Sequence, residues 1–156
     1  MPQYTTLIQA TTNATINIED ALLELLAAAA SAIRIKRITA SLNSASSDAR
    51  LTVNVRRTST AGAGGVAIAA AAFVKRDSQM RATSVTGVAK TGATAFSVGT
   101  VTDTPHQDNF NGRGTFLWVP RNYMEEMIVI GGQRLVIGVQ SSIASQVMNI
   151  AVEFED

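Results

Sequence analysis

The sequence contains no cysteine. Disulfides, thiolate nucleophiles and cysteine-ligated metal sites are therefore excluded together, and the chain is compatible with folding in a reducing cytoplasm. Charge is also scarce. Asp, Glu, Lys and Arg supply 16% of the residues, well under the usual share of about a quarter. A chain so poor in solvating charge often hides part of its surface against a partner; the competing reading is a monomer that solvates itself through Ser, Thr, Asn and Gln. The net charge of +1 gives no global field that would draw the protein to nucleic acid or to a membrane. No long hydrophobic run is present. The most apolar stretch, Ala21 to Ala32, is interrupted by Glu24 and is too short to span a bilayer. The opening twenty residues lack a basic segment leading into an apolar one, so no signal peptide is expected. Aromatic residues are 5%, with one tryptophan, a thin supply for the platforms on which sugars stack.

Alternation at period two is what the sequence does contain. In "RLTVNVRR" Leu51, Val53 and Val55 share one face, and Thr52, Asn54 and Arg56 the other, the pattern of a half-buried strand. In "IRIKRITASL" Ile33, Ile35 and Thr39 hold one parity and Arg34 and Lys36 the other, until Ile38 joins the charged side. The segments "ATAFSVGTVTD", "GTFLWVP", "MIVIGGQRLVIGVQSS" and "VMNIAVEFED" are likewise short, rich in Val, Ile, Thr and Phe, and bounded by Gly, Pro, Asn or Asp. "TLIQATTNATINI" adds one or two strands near the start. Short strands punctuated by turn signals predict an all-β sandwich or barrel. Two stretches break the pattern. Ile18 to Ala32 is rich in helix formers, with Asp20 placed to cap, which predicts a short helix near residues 20–30. The Ala-rich "GGVAIAAAAFVKRDSQM" is expected to be mostly extended.

No constellation carries catalytic chemistry. Gly62, Gly64 and Gly65 are followed by Val66 and Ala67 rather than Gly-Lys-Ser/Thr, so the loop is no phosphate cradle. It lacks the dinucleotide fingerprint too, and reads as a flexible connection between strands. Arg56 and Arg57 are adjacent in a strand and face opposite ways. They are either solvated edge charge or interfacial arginines that pair with a neighbouring subunit. Basic pairs without interleaved aromatics make a poor nucleic-acid footprint. His106, the one histidine, lies in "TDTPHQDNFNGRG" and reads as a loop residue rather than a metal ligand or base. No Gly-x-Ser-x-Gly nucleophile elbow exists. Catalytic, cofactor and metal sites are all expected to be absent. Phe116 and Trp118 share a parity, and anchor either the core or a subunit interface, where tryptophan is enriched.

Four segments together carry a resemblance: "ALLELLAAAASAIRIKRITASLN", "DARLTVNVRRTSTAGAGG", "FNGRGTFLWVPRNYMEEMIVIGGQRLVIGV" and the closing "NIAVEFED". In this order they resemble the small all-β proteins that decorate or cement the heads of tailed bacteriophages, built on a jelly-roll sandwich similar to tumour-necrosis-factor-like domains. They run from about Ile18 to the end; the stretch from Val66 to Val101 matches weakly.

The resemblance implies an antiparallel jelly-roll-like β-sandwich over residues 15–156, preceded by an extended N-terminal arm over residues 1–14. It implies a homotrimer on the capsid surface that bridges subunits of the phage major capsid protein, after assembly in the host cytoplasm. The arm would add a strand to a neighbour's sheet edge, and several weak contacts would act together through avidity. Tyr4, Leu7, Ile8, Arg56, Arg57 and Trp118 are the assembly contacts expected on this reading. No nucleic acid, membrane or cofactor is implied. The alternatives are another virion component (a minor shell, vertex or fibre module) or a carbohydrate-binding jelly roll.

Overall fold

The computed structural model describes residues 2–43, 48–77, 79, 81–91 and 94–156. Among these residues the chain forms strands β1 (Gln3–Thr11), β2 (Asp20–Leu26), β3 (Ala32–Leu42), β4 (Arg50–Thr58), β5 (Val66–Ala67), β6 (Phe73–Lys75), β7 (Thr86–Ala89), β8 (Val101–Asn111), β9 (Thr115–Trp118), β10 (Met127–Ile130), β11 (Arg134–Ser141) and β12 (Val147–Glu155). Two single 3₁₀ turns, at Ala70–Ala72 and Tyr123–Glu125, complete the regular structure. The strands build two antiparallel sheets. Sheet A has the order β10-β3-β12-β1-β6, with β9 continuing the edge that β10 occupies on β3. Sheet B has the order β5-β7-β2-β11-β4-β8. The long pairings are nested: β1 with β12, β2 with β11, β3 with β9 and β10, β4 with β8. A ribbon paired in this nested way and rolled into two facing sheets is a jelly roll.

Alternating side chains from both sheets meet between them. From β4 come Leu51, Val53 and Val55, and from β12 Met148, Ile150, Val152 and Phe154, all fully buried. Each such side chain contributes roughly 1.5–3 kcal/mol through removal from water. The parity switch in β3 has a structural cause. Glu153 pairs with Arg37 and Phe154 with Ile35, which leaves Lys36 as one extra residue in a β-bulge. Ile35 and Ile38 are thereby both turned to the core, although their spacing is odd.

Two expectations are corrected, the helix and the arm. The predicted helix near residues 20–30 is instead strand β2, with Asp20 through Leu25 buried. Leu23 and Leu25 face the main core, while the other side of the strand is covered by later chain. A strand buried on both faces loses the alternation that would announce it, and leucine and alanine then score as helix. Asp20 is no cap; its carboxylate meets the buried ammonium of Lys90. The stretch from Gly64 to Met80 holds two short strands around a 3₁₀ turn, with Ser78 and Met80 outside the described residues. The expected arm is, beyond the undescribed Met1, an internal part of the sandwich. Strand β1 lies between β12 and β6 in full register, Gln3 opposite Glu155 through Thr11 opposite Val147.

Candidate assembly surface

The two outward faces of the sandwich differ in what covers them. On sheet B, residues 59–65 and 94–100 fold back across β2 and β11. Phe96 is fully buried there against Ala21 and Val136, and its carbonyl accepts from Ala21 N–H at 2.8 Å. The glycine loop closes over it. Gly62 N–H donates to Glu24 Oε2 at 3.0 Å, and Ala63 and Ser97 exchange bonds at 2.9 and 3.0 Å. A Cβ on Gly65 would stand 2.3 Å from Val88 Cγ1 and 2.9 Å from Phe96, so glycine is required by close approach. The loop, expected to be a flexible tip, is pinned along its inner side. Glu24, only 4% exposed, also faces Arg134, whose Nε lies 3.0 Å from Oε1 as an ion pair without hydrogen-bond alignment.

Sheet A has no such cover among the described residues. Strand register lines its outward side chains into rows. One row runs Leu7, Ala151, Thr39, Leu117 across β1, β12, β3 and β9. The next runs Gln9, Asn149, Ser41, Thr115. Neither row contains a charge. Leu7 is 67% exposed and Leu117 60%, two leucines standing at opposite ends of one uncharged row. With strands about 4.8 Å apart, the row is roughly 15 Å wide, and the sheet gives it a continuous surface.

Charge collects at the other end of the same face. Lys36 Nζ donates to Glu126 Oε1 at 2.6 Å and lies 3.1 Å from Glu155 Oε2. Arg34 reaches Glu126 at 3.3 Å, and Arg37 pairs with Glu153. The hydrogen bond from Lys36 holds the Glu126 carboxyl below its ordinary value, more strongly than burial raises it. The same bond lifts the Lys36 ammonium above its own ordinary value against the opposing effect of burial. For Glu155, burial pushes upward, but bonds from Gln3 and Lys36 outweigh it and the carboxyl is lowered. A cleft of about 170 Å³ lies among these groups, lined by Tyr4, Lys36, Arg76, Glu153 and Glu155. Its charges are already paired with one another, so it offers little to an incoming ligand.

The six expected contact residues divide sharply. Leu7 projects from the open face. Tyr4 and Ile8 point the other way, into the core, where Tyr4 stacks on Phe154 with centroids 5.5 Å apart and donates to Arg81 O at 2.8 Å. Arg56 makes a two-pronged bond to Glu19 at 2.9 and 2.7 Å and a third to Thr104 at 3.2 Å. Arg57 bonds Asp103 at 2.6 Å. Both arginines thus have carboxylate partners within their own chain. Trp118 packs on the edge of the main core beside His106, with centroids 6.5 Å apart. His106 is a residue of β8 rather than of a loop, and it also meets Phe116 at 5.7 Å. Opposite Arg56, the sheet-edge strand β8 carries two residues, Thr104 and Pro105, where β4 has one, a position where a missing N–H costs nothing. Leu117, Thr39, Ala151 and Asn149 were missed by sequence reasoning. Only register brings them together, and register is not written in any one segment.

No group of three or more potential metal ligands occurs among the described residues, and no helix among them is long and apolar enough to cross a membrane. Compared with known proteins, the chain matches no family model, no curated protein and no solved structure.

Proposed function

We propose that this protein is a structural component of a bacteriophage virion, which decorates the capsid as a homotrimer and stabilises it by bridging major capsid subunits. The observation that carries the reading is the bare, uncharged half of the sheet A face, centred on the row Leu7–Ala151–Thr39–Leu117. Sheet B spends two chain segments on covering its outer side; sheet A leaves this half for another molecule. Exposed leucines on a surface without charge suit a contact between copies of the chain, because nothing must be stripped of strongly held water. In a trimer closed through this face, the opposite ends of three sandwiches can each touch the shell, and three weak contacts then act as one strong attachment. The low overall charge and the sequence resemblance support the same role.

The test is direct. The purified protein should sediment as a trimer and should bind expanded phage heads but not unexpanded shells. A strictly monomeric protein without affinity for capsids would overturn the proposal.

A further inference from the structure

Lys90 is the one cation that is fully buried among the described residues. It follows strand β7, and its backbone N–H donates to Leu22 O of β2 at 3.0 Å, which fixes it beside the bulged start of β2. Its side chain is 0% exposed and that of Asp20 is 3%. The ammonium carries three N–H donors, yet among the described residues it has one acceptor, Asp20 Oδ2. The other carboxylate oxygen, Oδ1, accepts from Asn13 Nδ2 at 3.1 Å. Such a pair is costly as ions: each charge has left water, and the attraction recovers that loss only when the remaining donors are satisfied. Two donors of Lys90 have no acceptor among the described residues.

We propose that Lys90 and Asp20 are joined by an intramolecular isopeptide bond. The chemistry balances with these residues alone. The step begins as an ammonium proton passes to Oδ2 across the existing contact. The freed amine lone pair of Nζ attacks Cγ. Negative charge gathers on Oδ1, where the Asn13 N–H already donates, the placement that stabilises a tetrahedral oxyanion. The Cγ–Oδ2 bond breaks and Oδ2 departs as water with two protons from the former ammonium. One N–C bond has formed, one C–O bond has broken, and no oxidant or other reactant is consumed. The amide that remains has one donor and one acceptor, and its carbonyl keeps the bond from Asn13. Holding a nucleophile against its electrophile inside a folded core supplies the proximity that two free side chains in water lack. The result is a covalent tie between β2 and the end of β7, at the side of sheet B where the outermost strand, β5, has only two residues.

The experiment is an intact mass measurement on the full purified chain under denaturing conditions, followed by a tryptic map. The expected mass is one water below the mass given by the sequence. Trypsin should fail to cut after Lys90, so that the peptide ending at Arg34, which contains Asp20, is recovered joined to residues 82–113. The Lys90→Arg variant keeps the cation but should show its full sequence mass. A wild-type chain at full mass, cleaved after Lys90 into linear peptides, overturns the proposal and leaves an ordinary buried ion pair. Water loss that persists in Lys90→Arg overturns it as well. The wild-type measurement decides the question even if the variant fails to fold.

Discussion

The carboxylate of Glu19 crosses directly over Gly138 to reach Arg56. Its Oε1 stands 2.1 Å from where a Cβ on Gly138 would be, and the two oxygens accept from Arg56 Nε and an Arg56 terminal nitrogen at 2.9 and 2.7 Å. The glycine in the middle of β11 is therefore a passage for a side chain rather than a point of backbone freedom. Both charged groups are largely buried, so the bond is shielded from the screening that weakens surface pairs. Gly138→Ala should displace Glu19, break the two-pronged bond and cost about 1–3 kcal/mol. Chemical denaturation checks this, and a double-mutant cycle isolates the cause. In a Glu19→Ala background the added methyl group should cost far less, because the carboxylate it collides with is gone.

The second layer over sheet B depends on Phe96. It is the one large side chain of the small cluster with Ala21 and Val136, and it contacts the positions of Gly62 and Gly65 closely enough that any Cβ there would collide with it. Phe96→Ala should cost about 3 kcal/mol, from lost burial and from the cavity left behind. It should also release the loop around Gly62 to Gly65, since the hydrogen bonds from Gly62 and Ala63 alone would have to hold it. Limited proteolysis with an elastase-type enzyme checks the second effect: new cleavage near Ala61–Ala63 is expected. A loop that stays resistant would show that Glu24 and Ser97 suffice.

How far the fold could be read in advance depended on how each strand is covered. β4 and β12 have a wet side and a dry side; alternation marked both as strands and put Leu51, Val53 and Val55 on one face, which is the core face. β2 is dry on both sides, and its Leu-Leu-Glu-Leu-Leu run looked helical because no polar residue was needed at every second place. In β3 the odd spacing between Ile35 and Ile38 was visible, but its meaning was not, since a bulge at Lys36 depends on the partner strand β12. The resemblance singled out Leu7, and local pattern the adjacent arginines. It could not say that Arg56 would find Glu19, 37 residues earlier in the chain, or that Leu7 and Leu117 would end one row. Those are facts of pairing between distant segments, and a single sequence read locally carries only half of each pair.

Leu7 and Tyr4 are three residues apart on β1 and face opposite ways, so the proposed assembly can be tested apart from folding. Leu7→Arg places a charge on the open face, where substitution changes stability by no more than about 0.5 kcal/mol, and should abolish self-association in sedimentation velocity. Tyr4→Phe removes the hydroxyl that donates to Arg81 O and should lower stability by about 1 kcal/mol while leaving association intact. If Leu7→Arg assembles like the wild type, the sheet A face is not the contact between copies.

The charged end of sheet A sets the pH range of the fold. Glu126, Glu155 and Asp156 all have folded pKa values below their ordinary ones. For Asp156, burial acts upward, but the Ser84 backbone N–H and the hydroxyls of Ser84 and Thr83 outweigh it. Each of the three binds its proton less readily folded than unfolded, so its stabilising contribution is complete above the unfolded value, 4.5 for the glutamates and 3.8 for Asp156. The contribution is lost as pH falls through the lower, folded values. Lys36 is the reverse case: raised above 10.5, it contributes fully below that value and loses its contribution as pH rises through the folded one. Stability against urea should therefore show a plateau with an acid limb beginning below about pH 4.5 and an alkaline limb above about 10.5. Glu126→Gln should flatten both limbs at once, because it removes a lowered carboxylate and the largest cause of the Lys36 shift together. A variant whose acid limb alone changes would show that Glu155, and not Glu126, governs the lysine.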